Sequence, residues 1–409
     1  MLRNYFKIAI AVLKRRKFFT FISLFGISFT LTILMVATAY IDKLVNDPYP
    51  DAKRDRSLYV NKLEQKMKDG RQSGPLSFYF LDHYAGSLKI PAKVAISSMS
   101  RATNTYVNNK KIVINYKYVN SDYWDVLEYD FVEGKPFSKQ QIANGEHVTV
   151  ISEDTKKEYF GETGSVVGKY IEADNVKYRI NGVVKNVPVT AYQFFADIYL
   201  PYTVSKTDYK DKAYHGEYIA ILLAKNEADV PAMRKEYEQM ISKVPLPNKD
   251  ITKMYSHANS YLVSYVNVGS EDTSGIAYVI TAIGLFALLV MLLPTLNLVN
   301  INITRIMERS SEIGVRKAFG ASSRTLVYQF IVENLILTLI GGLIGVLLTF
   351  IVIRVLNNAQ LIDNLYLTIN FTVLLYALAI CVFFGLFSGV YPAWRMSKLN
   401  VVTALRQNN

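Results

Sequence analysis

An α-helical membrane protein with four transmembrane helices and one inserted α+β extracytoplasmic domain is the fold class this sequence predicts. Three observations carry that expectation. Four long runs lack any charged residue, a 231-residue polar insertion separates the first two runs, and the excess of basic residues is confined to their flanks.

Of 409 residues, 51% are hydrophobic and 20% charged, with a single cysteine. That composition excludes a disordered tail protein and a disulfide-stapled secreted mini-domain. The charge-free runs are 18–41, 273–304, 334–353 and 364–394. At about 1.5 Å of rise per residue, each can cross a hydrocarbon core of roughly 30 Å. Transmembrane helices are therefore expected over 18–42, 273–304, 325–354 and 364–394.

The net charge of +12 raises the question of nucleic acid, and the distribution of charge answers it. Residues 42–272 hold 31 basic and 30 acidic residues, so the excess lies beside the apolar runs. The segment 1–17 carries Arg3, Lys7, Lys14, Arg15, Arg16 and Lys17 without an acid, 305–333 carries five bases, and 395–409 carries three. Four alternating helices put these segments on one side, which the positive-inside rule makes cytoplasmic. Both termini are then cytoplasmic, the insertion and the short loop 355–363 lie outside, and no nucleic-acid partner is needed.

Residues 1–17 read as a cytoplasmic amphipathic helix, with Leu2, Phe6, Ala9, Ile10 and Leu13 on one side and Arg3, Lys7 and Lys14 near the other. The first apolar run has a rival reading, because Ala37-Thr38-Ala39 has the small-x-small form of a signal-peptidase site. About 20 apolar residues precede that site where 7–15 are usual, so the membrane-anchor reading is adopted.

In the insertion, strand-like alternation is expected at 111–119, 147–152, 176–184, 217–224 and 261–268. Ser152 followed by Glu153 and Asp154 predicts a capped helix running to Phe160, and Asn226 opens a longer helix through Met240. Cys381, the only thiol, lies in the fourth apolar run, and the four histidines stand apart from any ligand spacing, so neither redox chemistry nor a zinc site is expected. The segment 164–170, Gly-Ser-Val-Val-Gly-Lys-Tyr, resembles a phosphate loop but has three residues between its glycines and Tyr170 where Ser or Thr is required. Its glycines read as turn residues.

The run 273–304 is longer than a bilayer needs and is expected to project as a stalk, with Pro294 giving a kink or, on the sharper reading, a hinge. The segment 305–324 follows. Glu308 with Glu312 and Arg305 with Arg309 fall at i,i+4 spacing, and Gly320-Ala321-Ser322-Ser323 reads as a helix stop and a fresh N-cap. A plain connector needs only bases; ordered pairs and a small-residue corner predict a short helix that docks into a partner. In the third helix, Gly341 and Gly345 with Gly342 beside them permit close approach of a neighbouring helix, of the same subunit or of a second one.

The run M-E-R-S-S-E-I-G-V-R-K-A-F-G-A-S at 307–322, then Q-F-I-V-E-N at 329–334 and L-I-G-G-L-I-G at 339–345, resembles the membrane domain of MacB-type and FtsX-type ABC transporter permeases. The segment 391–406 is similar to that family's closing motif, with Val401 where a proline is common. The stretches Y-W-D-V-L-E-Y-D-F-V-E-G-K-P-F, E-Y-F-G-E and Y-R-I-N-G-V-V-K-N-V resemble its extracytoplasmic core domain.

The resemblance implies a MacB-like core domain at 43–272 with a porter-like lobe and a sabre-like second lobe at about 119–203. It implies a coupling helix at 305–324, with Glu308, Arg309, Glu312, Gly314, Arg316, Lys317, Gly320 and Ala321 at motif positions, and further matches at Asn300 and Glu333. It implies a second permease subunit, the same chain rather than a different one, and a separate ABC ATPase dimer that binds ATP and magnesium; no cofactor is bound directly. A periplasmic adaptor and an outer-membrane duct belong to the same expectation where the host has two membranes.

The expected function is the non-catalytic permease subunit of an exporter of the mechanotransmission type in the bacterial inner membrane. ATP-driven movement of 305–324 would rearrange the external domains to expel or extract a peptide, drug, toxin or lipoprotein. The alternatives are an FtsX-like regulator that activates a cell-wall hydrolase without transport, and a secondary transporter, which would need inverted repeats and intramembrane polar sites.

Overall fold

The computed structural model describes residues 10–11, 14–15, 17–107, 110–161, 164–266, 275–307, 315, 319 and 322–397. They fall into two compact units, one within 1–45, 280–361 and 366–409, the other within 46–279 and 362–365.

The first unit is built from four long helices, Lys17–Asn46, Ile276–Met307, Ser323–Ala359 and Phe371–Ser397. Charge-free apolar sequence becomes helix because only a helix satisfies every backbone donor and acceptor within its own segment. Among the described residues, Lys17–Asn46 and Val327–Ala359 are long and apolar enough to cross a membrane; Ile276–Val290 and Phe371–Phe383 are shorter apolar helical stretches. The third helix starts as its sequence predicts: Ser322 is the N-cap, its Oγ accepting from Thr325 N at 3.2 Å.

The fourth helix starts at Phe371, although the charge-free run begins at residue 364. Local polar groups explain the delay. Asn357 brackets Leu367, accepting from its amide at 2.8 Å and donating to its carbonyl at 2.9 Å. Asn370 Oδ1 then accepts from Thr372 N at 3.0 Å, an N-cap that sets the first turn.

The second unit is an α+β domain. Its strands are β1 Ser57–Val60, β2 Leu63–Met67, β3 Gly70–Gly74, β4 Pro91–Ser98, β5 Arg101–Val107, β6 Lys110–Val119, β7 Phe131–Gly134, β8 Val148–Ser152, β9 Tyr170–Ala173, β10 Val176–Val184, β11 Ile198–Pro201, β12 Tyr218–Ala224 and β13 Ile251–Ser256. Ten form one sheet in the order β1-β12-β4-β6-β11-β8-β10-β7, with β5 beside β6 and β9 beside β10; β13-β2-β3 form a second. The β6/β11 and β8/β10 pairs are parallel and the remaining ladders antiparallel.

The large sheet is covered on both faces, as period-two burial shows. On β1, Leu58 and Val60 enter one core while Tyr59 enters the other. On β12, Ala220 and Leu222 join the first core and Ile221 and Leu223 the second. A strand buried on both sides reads as an unbroken apolar run, which is why Tyr-Ile-Ala-Ile-Leu-Leu-Ala is buried throughout. Residues 119–203 contribute β7–β11 to this same sheet, joined to the rest through β11 on β6.

Both expected helix starts are present. Ser152 Oγ accepts from Thr155 N at 3.2 Å to open Glu153–Phe160, and Asn226 forms a capping box with Asp229 ahead of Val230–Lys243. One expectation fails. The stretch 261–266 is a helix, not a strand, although its Tyr and Val content favours strand. Its buried residues are Tyr261 and Ser264, three apart, so the helical period fixes its inner face.

Candidate transmission site

In the helical unit, the third helix meets the first at its two glycines. A Cβ placed on Gly341 would sit 2.8 Å from Ile27 Cγ2 and 2.9 Å from Ile27 Cβ. One on Gly345 would lie 3.0 Å from both Leu31 Cβ and the carbonyl oxygen of Ser28. Neither obstacle is the free end of a flexible chain, so only glycine admits this approach. Thr32 Oγ1 lies 3.2 Å from the Gly345 carbonyl, and Thr349 Oγ1 donates to the same carbonyl at 2.8 Å. The small-residue pair therefore joins two helices of one chain. Gly342 faces the fourth helix, where a Cβ would stand 3.5 Å from Leu378 Cδ2.

Glu333 is buried on the third helix, accepting from Gln329 Nε2 at 3.1 Å, with Asn334 and Thr338 buried on the turns that follow. The sequence places Glu333 just outside a charge-free run, whereas the apolar span beginning at Val327 encloses it. A carboxyl inside such a span is costly unless it has a role. Pro294 and Asn300 lie within the continuous helix Ile276–Met307. Glu308, Arg309, Glu312, Gly314, Arg316, Lys317, Gly320 and Ala321 fall outside the described residues, as does most of 1–17.

In the α+β unit, the chain's way in and way out are side by side. Tyr59 and Asn259 exchange backbone hydrogen bonds of 2.8 and 2.9 Å. Beneath them the carboxylate of Asp51 is fully buried; Tyr59 Oη donates to Asp51 Oδ2, and Arg54 Nε donates to the same oxygen at 2.9 Å. Arg54 also donates to the Asp47 carbonyl at 2.9 Å and lies 3.6 Å from the centroid of the Tyr261 ring. Burial raises the Asp51 carboxyl above its ordinary value, with Tyr59 and Arg54 pulling the other way. One guanidinium thus ties the incoming segment to the outgoing helix Tyr261–Val266.

The segment 192–194 is anchored at the same root. Lys117, fully buried on β6, donates from Nζ to the Gln193 carbonyl at 2.7 Å, and burial pushes its ammonium down to about 7. Gln193 Nε2 donates to Ser264 Oγ at 3.2 Å and Tyr192 Oη to the Tyr265 carbonyl at 3.1 Å. The Phe194 carbonyl accepts from Tyr129 Oη at 2.8 Å and Tyr199 Oη at 3.0 Å. Sequence reading misses Asp51, Arg54, Tyr59, Lys117 and Tyr261. The only signal was the density of tyrosine, 29 in the chain, which does not say which rings converge.

The glycine segment 164–170 is a turn whose donors are taken. Glu133 Oε2 accepts from Val166 N at 3.0 Å and from Ser165 Oγ at 2.9 Å, while Lys156 pairs with Glu133 Oε1. The hydrogen bond from Lys156, with Val166 and Ser165 adding to it, holds the Glu133 carboxyl below its ordinary value. Gly168 has φ of +85°, the conformation that requires glycine there. A side-chain carboxylate occupies the amide and hydroxyl a phosphate would seek.

Comparison with known proteins places these two units in context. Residues 20–240 match the family described as MacB-like periplasmic core domain, and 284–401 match the FtsX-like permease C-terminal family. The chain is similar to the ABC transporter permease YknZ of Bacillus subtilis, 24% identical across 77% of this chain and 75% of that one. It is also similar to the macrolide export ATP-binding/permease protein MacB of Acinetobacter baylyi, 25% identical across 77% of this chain and 46% of that protein. The chain thus spans about half the length of its MacB relatives. The crystal structure of the periplasmic region of MacB from Actinobacillus actinomycetemcomitans aligns with a TM-score of 0.39 at 14% identity, over 56% of this chain and all of that one.

Proposed function

Because the chain belongs to the MacB-like periplasmic core domain family and continues into an FtsX-like permease region, we propose that it is an ABC transporter permease subunit that delivers mechanical work to an extracytoplasmic domain. The observation that carries this reading is the order of the two matches on the fold: a core-domain match that runs from the first long helix into the α+β unit, then a permease match over the other three long helices.

In this reading the four long helices span the inner membrane, both termini are cytoplasmic, and 42–272 lies outside. A separate ATPase dimer closes on ATP and magnesium and displaces 305–324, with Glu308, Arg309, Glu312, Gly314, Arg316, Lys317, Gly320 and Ala321 forming the docking helix. Ile276–Met307 carries the displacement outward, bending at Pro294. The contact of Gly341 and Gly345 with the first helix makes that helix move with the third. The root around Asp51 and Arg54 receives the motion, and the external domain, porter-like and sabre-like lobes together, expels or extracts its cargo. A second copy of the chain completes the permease, and an adaptor with an outer-membrane duct extends the path in a two-membrane host.

Affinity purification of the tagged full chain in mild detergent tests the reading. A separate ABC ATPase is expected to co-elute, and reversing the charge of Glu308 and Glu312 together is expected to reduce that ATPase while membrane insertion stays intact. Failure to recover an ATPase in several detergents overturns the permease reading. Unchanged recovery after charge reversal removes 305–324 from the coupling role.

A further inference from the structure

Residues 362–365, the tip of the connector between the third and fourth long helices, belong to the α+β unit. The tip is held by a closed set of bonds. Asn364 Nδ2 donates to Asp154 Oδ2 at 2.7 Å, and Asn364 Oδ1 accepts from Asn186 Nδ2 at 3.2 Å. Asn186 closes the ring by accepting, at its own Oδ1, the backbone amide of Asp154 at 3.0 Å.

Both ends of the Asn364 amide are thus engaged, by the side chains of two residues that are themselves joined through the Asp154 backbone amide. Asn364 has φ of +60°, a left-handed conformation that Asn tolerates better than most residues. Leu365 N donates to the Ile362 carbonyl at 3.2 Å and closes the turn behind it. Asp154 sits in the first turn of Glu153–Phe160, where the helix N-terminus favours its negative charge.

We propose that Asn364 is a positioning residue for transmission, latching the connector onto the α+β domain at Asp154 and Asn186. The inference rests on the reading that helix motion is delivered to that domain. The covalent crossings of the chain at 45–46 and 279–280 cannot be switched. Hydrogen bonds between half-exposed side chains can be exchanged with water and remade, so the latch gives the domain an attachment that opens and closes.

The donor and acceptor pattern makes the latch testable by exchanging its members. Asn364→Asp sets two carboxylates against each other, whereas Asn364→Asp combined with Asp154→Asn restores a donor facing an acceptor at every position. Hydrogen–deuterium exchange on the purified full chain in detergent reads the outcome. Asn364→Asp is expected to raise exchange over 361–366 about tenfold, and the double exchange to return it to within about twofold of the parent, with β8 and β10 unchanged. Should Asn364→Asp unfold the domain, Asn364→Gly, which removes both bonds without adding charge or straining the left-handed backbone, reads the same segment. Unaltered exchange in the single variants, or a double exchange that does not restore protection, overturns the latch. The measurement needs no ATPase, so its failure is distinct from a failure of co-elution.

Discussion

At the residue scale, Lys117 shows how burial becomes pH dependence. Its ordinary value is 10.5 and burial pushes it to about 7. Between those values the unfolded chain holds a proton that the folded chain has released, so stability rises with pH across the window and the penalty is greatest below about 7. Chemical denaturation of the full chain at pH 7 and pH 9 is expected to show that rise, and Lys117→Met to flatten it. Glu133 runs the other way: its carboxyl is held below the ordinary 4.5, so its contribution is complete above that value and is lost as the pH falls below it. Glu133→Ala leaves the buried Val166 amide without its acceptor and is expected to cost about 1–3 kcal/mol in denaturant titrations at pH 7. The caps at Ser152, Asn226 and Ser322 were legible in the sequence because a cap is satisfied within four residues. Lys117 was not, because its acceptors lie on a segment more than seventy residues away.

At the element scale, the helix crossing at Gly341 and Gly345 makes a selective prediction. Gly341→Ala and Gly345→Ala push against Ile27 and against the Ser28 backbone, and each is expected to destabilise the full chain in detergent by about 1–3 kcal/mol. Gly342→Ala, which meets Leu378 at an ordinary contact distance, is expected to leave the thermal midpoint unchanged. Equal effects at all three positions would show that the crossing is not the tight point. The small-residue motif could be read from sequence; its partner could not, since Ile27 and Leu31 are more than 300 residues away and lie in a featureless apolar run. Helix 261–266 was misread for a related reason. Four of its six residues, Tyr261, Val263, Tyr265 and Val266, are aromatic or β-branched and satisfy the composition of a strand, and only the rings around Tyr261, Tyr59 at 5.5 Å and Phe194 at 5.9 Å, select the helical period.

At the scale of the whole molecule, the basic flanks of the apolar runs predict which side of the membrane each segment faces. Membrane-impermeant labelling of Ser165→Cys and Ser311→Cys in intact cells is expected to modify the first and spare the second; labelling of both from one side would overturn the topology. The two-unit division was legible in the same way, because long apolar runs and a balanced polar insertion obey different solvents. The continuity of the ten-stranded sheet was not, because β11 joins β6 and β8 across long sequence intervals. The bridge between Tyr59 and Asn259 has a consequence for ancestry and engineering alike. A polypeptide loop that starts and finishes one strand-spacing apart, about 5 Å, is a self-closed cassette. Such a guest carries its own closure, so inserting it elsewhere does not stretch it.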